Sequence, residues 1–102
     1  MLTLNHKKLD IWKTGIALVK EIYNLTESFP KDERFGITSQ LRRAYVSIVS
    51  NISEGLSRNS KLDTRRFLHI ARSSLVEIDT QIEISLLLNF CSKEDIVNLE
   101  EL

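Results

Sequence analysis

The chain has 102 residues, with 14 Lys and Arg balancing 14 Asp and Glu, 42% hydrophobic and 27% charged residues. That composition suits one soluble domain able to bury a core, and excludes an intrinsically disordered chain. No apolar run approaches the ~18 residues of a membrane span, the start MLTLNHKKLD lacks the apolar stretch of a secretory signal, and the single Cys91 excludes an intramolecular disulfide. The expectation is a cytoplasmic protein with no membrane partner.

The first predicted helix runs from about 9 to 27, with Trp12, Ile16, Val19 and Tyr23 on one stripe and Ile11, Leu18, Ile22 and Leu25 beside it. Phe29 and the only proline, Pro30, end it. PKDERFG, polar apart from Phe35, reads as a connector with about one helical turn. The second helix, about 37–56, places Leu41, Ala44, Tyr45, Ile48 and Ile52 on one arc, and Gly55 is expected to end or weaken it. Ser60 followed by Asp63 approximates a capping box and opens a third helix over about 61–89. Phe67, Ala71, Ile78, Ile82 and Leu86 form its stripe, with Leu68 and Leu75 at the edge. Ser92 and Asp95 repeat the capping pattern and open a short fourth helix over about 93–102. With no strand alternation, the expected fold is all-α: a single domain over 1–102 forming an antiparallel up-down four-helix bundle, three helices long and the fourth short or truncated.

Neutrality hides a split. Residues 1–72 carry a balance of +6 and residues 73–102 a balance of −6, so the two parts either attract each other, within a chain or between copies, or leave a basic face for polyanions. Arg42, Arg58, Lys61, Arg65, Arg66 and Arg72 are the candidate contacts to nucleic acid or another partner. Opposite the apolar arc of the second helix stands the row Arg43, Ser47, Ser50 and Glu54, with hydroxyls where better helix formers would serve a plain surface. A hairpin turning near Arg58 and Asn59 brings Arg43 near Ser74 and Glu77, and Ser47 near Ile70 and Ser73. The row, with Ser73 and Glu77, is therefore expected to be a polar seam between helices or subunits, and an Arg43–Glu77 ion pair is expected within it.

Val46 and Val49 on the second helix and Ile70, Ile84 and Leu88 on the third lie outside the main apolar arcs. That excess predicts a homo-oligomer. Catalytic groups, by contrast, do not converge. His69 and Cys91 are 22 residues apart, about 33 Å along a helix, and His6 lies near the chain start. Glu77, Asp79 and Glu83 lack histidines that would make a bundle metal site, and Gly15, Gly36 and Gly55 form no phosphate loop. No catalytic residue, metal or cofactor is expected.

LDIWKTG at 9–15, IYNLTESFPKDERFG at 22–36, QLRRAYVSIVSNISEG at 40–55 and RFLHIARSSLVEIDTQI at 66–82 together cover most of the chain. In these blocks the sequence resembles the four-helix-bundle family named for proteins encoded in intervening sequences of bacterial 23S ribosomal RNA genes, which includes the accessory variability proteins of diversity-generating retroelements. The resemblance implies a bundle assembled as a ring-like homopentamer without catalytic activity. For the retroelement relatives it implies binding of nucleic acid and of a reverse transcriptase. The chain departs from the family in its shorter fourth helix and in Ser73-Ser74, where Gly-Ser or Ala-Ser is usual. Two functions are thus expected: RNA or DNA binding through the basic residues, or a protein–protein scaffold, for example for a polymerase.

Overall fold

A computed structural model describes residues 9–100, the side chains of 98 and 100 excepted; His6 and the last two positions of the predicted fourth helix lie outside the described residues. It contains α1 (Asp10–Glu27), a 3₁₀ turn (Lys31–Glu33), α2 (Ile37–Leu56), α3 (Lys61–Leu87) and α4 (Lys93–Glu100), with no strand among the described residues. The helices form a bundle. Neighbours run antiparallel: Arg42 of α2 meets Thr26 of α1 while Val49 lies over Gly15, and Gln40, Ser47 and Gly55 meet Gln81, Ser74 and Phe67 of α3. α2 is the shared element, with α1 and α3 both packed on it, and α4 packs on α1. The body measures 44 × 23 × 22 Å, and its long axis follows from α3, whose 27 residues span about 40 Å.

Ile22 and Leu41 are completely buried at the centre, with Phe29, Ala44, Tyr45, Ile78, Cys91 and Ile96 around them. Each such aliphatic contributes about 1.5–3 kcal/mol by leaving water. The buried face of α3 is rotated from its most apolar stripe. It presents Ala71, Ser74, Ile78, Gln81 and Ser85 to α2, while Leu75 stays 57% exposed and Leu68 41%. Small residues let the two helices approach, and the Ser85 hydroxyl is satisfied by donating to the Gln81 carbonyl oxygen at 2.8 Å.

The helix ends follow their capping chemistry. Ser60 Oγ accepts from the Asp63 N–H, and Ser92 and Asp95 bond each other reciprocally. α3 closes on Asn89, whose φ of 60° allows the Asn89 and Phe90 N–H groups to reach the Leu86 and Ser85 carbonyls, a Schellman motif. Asn89→Ala should therefore cost about 1–2 kcal/mol, measured as a lower urea midpoint, while Asn89→Gly keeps the stop.

Gly55 stands one residue before the end of α2, without the left-handed turn of a glycine cap. The helix continues to Leu56 and no glycine has positive φ among the described residues. Gly55 is instead where α3 crosses closest: an added Cβ would lie 3.1 Å from Phe67 Cβ and 3.3 Å from the Thr64 carbonyl oxygen. Thr64 Oγ1 donates to the Gly55 carbonyl oxygen at 2.8 Å, tying the end of α2 to α3. Val49 likewise differs from expectation, being buried against Gly15, whereas Val46, Ile70, Ile84 and Leu88 are exposed.

Candidate functional site

The α2–α3 turn gathers most of the candidate cations. Arg58, Asn59, Ser60, Lys61, Thr64, Arg65 and Leu68 line a shallow groove of about 350 Å³. Arg58 is held in place rather than free, because its guanidinium lies 4.8 Å from the Phe67 ring centroid and pairs with Glu54. Lys61, Arg65 and Arg72 are exposed and share one stripe of α3, since steps of four and seven residues return to the same side. The N-terminus of α3 opens into the same groove and adds its positive dipole end, offset in part by Asp63 in the first turn. Arg66 points to another side and pairs loosely with Asp63 at 3.7 Å.

Arg42 stands apart, 16 residues before Arg58 on α2 and so about 24 Å away. Its Nε donates to Thr26 Oγ1 at 2.8 Å and its guanidinium covers the Tyr23 ring at 4.4 Å, with Glu27 at 3.4 Å. These contacts bind α1 to α2.

The polar row divides. Ser47 accepts from Ser74 Oγ at 3.2 Å across α2 and α3, and the Asn51 amide donates to the Ser47 carbonyl at 2.7 Å. Arg43, Ser50, Glu54 and Ser73 are exposed. The Arg43–Glu77 ion pair does not form among the described residues, whose ion pairs involve Arg42, Arg58 and Arg66. Glu77 Oε1 accepts instead from Gln81 Nε2 at 3.0 Å, and the same amide donates to Gln40 Oε1 at 3.2 Å. Gln40, Asn51 and Gln81 carry neither a charge nor a hydroxyl, the groups that mark the row in the sequence, yet helical spacing from Ser47 and Ser74 leads to all three.

Burial and the neighbouring Asp95 carboxylate push the Cys91 thiol up, so it stays protonated, and burial raises the Tyr45 hydroxyl. Among the described residues no group of three His, Cys, Asp or Glu could hold a metal ion, and no helix is long and apolar enough to cross a membrane.

The model of the family described as 23S rRNA-intervening sequence protein matches residues 7–102. The chain belongs to that family. The match spans every helix of the bundle. No curated protein matches this intervening-sequence family member.

Proposed function

We propose that the protein is a non-enzymatic, cytoplasmic homo-oligomer whose α2–α3 end binds the phosphates of RNA or DNA, with the five-subunit ring implied by the family resemblance as its assembly. The observation that carries the reading is the stripe Lys61, Arg65 and Arg72 running from the groove at Arg58 and the α3 N-terminus. Such a surface attracts phosphate without regard to sequence. There is no aromatic face in the groove for bases to stack on, since Phe67 is already covered by Arg58. Exposed Val46, Ile70, Ile84 and Leu88 support association between copies.

The test is Lys61→Glu/Arg65→Glu against the native chain in fluorescence anisotropy with an RNA hairpin and duplex DNA. Removing two phosphate contacts should weaken both ligands alike and reduce the magnitude of the slope of log affinity on log salt by about 2. An unchanged slope would exclude this surface, and absence of all binding would leave a protein scaffold, the second expected function.

A further inference from the structure

Leu62, Val76 and Leu87 of α3 are 67%, 62% and 79% exposed, more than any other large hydrophobic residue described except Phe35. At about 100° per residue the three return to nearly the same angle, so they stand on one line along the outer face of α3, opposite the buried Ser74, Ile78 and Ser85. The charges on this face are sorted along it. Lys61, Arg65 and Arg72 occupy the first half and Asp79 and Glu83 the second; all five are exposed, within about 60° of the Val76 line and on the same flank of it. None of the five makes an ion pair among the described residues. The other charged residues of α3 lie off the line, where Arg66 pairs with Asp63 and Glu77 accepts from Gln81. His69 is the one further titratable group on the face. The outer face of α3 is therefore an apolar line with a cationic end and an anionic end.

We propose that this face pairs with the same face of a second copy, the two α3 helices antiparallel, so that the carboxylates of each copy cover the phosphate-binding cations of the other. The occupant is argued from charge complementarity, because a helix positive at one end and negative at the other complements its own reverse. A two-fold axis beside Ser74 and Leu75 sets Leu62 against Leu87 of the second copy, and Val76 against Ser73. The same axis turns the charged flank of one helix to the charged flank of the other, which brings Arg65 to Glu83 and Arg72 to Asp79. The contact is isologous and stops at two. It lies on the opposite flank of α3 from Ile70, Ile84 and Leu88, so it joins single chains, or doubles whatever assembly those residues form. Its consequence is regulatory: a polyanion and the second copy compete for Lys61, Arg65 and Arg72. That consequence rests on the phosphate site proposed above, and the pairing itself does not.

Native mass spectrometry at low salt, with circular dichroism, tests both. Wild type should contain an even number of 11.8 kDa chains, twice as many as Arg65→Glu or Glu83→Arg, with helicity unchanged because both positions are exposed. Each swap acts twice across the axis, setting carboxylate against carboxylate or guanidinium against guanidinium. Mixed in equal amounts, the two variants regain opposite charges at both contacts, so the mixture should return to the wild-type size with the two chains in equal number. An excess of RNA hairpin should halve the wild-type assembly. Variants of wild-type size, or a mixture that stays at the variants' size, overturn the pairing and leave the phosphate site standing. Hairpin bound to wild type without halving it overturns the placement of the carboxylates over the cations. Pairing that behaves as expected while the hairpin fails to bind supports the contact and removes the phosphate site.

Discussion

Leu41→Ala is expected to lower stability by about 2–5 kcal/mol, a large part of what a domain of this size has. Leu41 is fully buried on the face of α2 that looks between α1 and α3, and it packs in the cluster with Ile22, Tyr45 and Ile78. Truncation removes transfer energy and leaves a cavity that three helices and α4 cannot all close upon. Alanine is an excellent helix former, so the loss reports packing and not helix propensity. Leu75→Ala supplies the contrast. That side chain is 57% exposed, so the change should cost within about 0.5 kcal/mol in a single subunit. Urea unfolding at a concentration where the chains are dissociated checks both, with midpoints shifted and the slope preserved.

Gly15→Leu should be the second large effect, destabilising by about 1–3 kcal/mol or more despite the ~1 kcal/mol that replacing a helix glycine normally gains. An added Cβ at Gly15 would lie 2.9 Å from Val49 Cγ2, and valine is stiff at χ1 and cannot swing aside. A leucine must push α1 off α2 at this level, straining the Arg42–Thr26 bond further along the same interface. Pairing it with Val49→Ala should recover part of the loss, because the new side chain then enters the space the valine leaves. Thermal unfolding of the two single variants and the double variant measures that recovery, and strict additivity would contradict the close approach.

Helix ends were legible because their signals are local. Pro30 cannot continue a helix, and Ser60 with Asp63 and Ser92 with Asp95 satisfy orphan N–H groups wherever the rest of the chain lies. The buried face of α3 was legible only in part, because apolar residues surround that helix: Ala71 and Ile78 of the expected stripe are buried and Ile82 and Leu86 pack against the core, Ile70 and Ile84 on one flank and Leu68 and Leu75 on the other are exposed, and Ser74, Gln81 and Ser85 complete the side facing α2. Hydrophobicity alone finds the apolar half of that face and misses its small and polar half. The same reasoning explains the missing Arg43–Glu77 pair. The observed register pairs Ser47 with Ser74, one residue from the expected Ser73, and on a helix one residue turns a side chain by about 100°.

Of the candidate cations, the sequence could group Arg58, Lys61 and Arg65 through the turn they flank. It could not separate Arg42, whose engagement with Tyr23 and Thr26 depends on how α1 meets α2. Phe35 likewise read as part of a polar connector, and only the packing of Phe29 against Phe90, with centroids 5.8 Å apart, and the exposure of Phe35 show which phenylalanine the core takes and which it leaves outside.

The most direct test of phosphate binding at the α2–α3 end is the affinity of the wild-type protein for an RNA hairpin and a DNA duplex, measured from about 50 to 200 mM salt. The three cations of the α3 stripe, Lys61, Arg65 and Arg72, predict similar affinities for the two ligands and a log–log slope of about −2 to −3 per bound subunit. Undetectable binding at the lowest salt, or an affinity that does not change with salt, would contradict it.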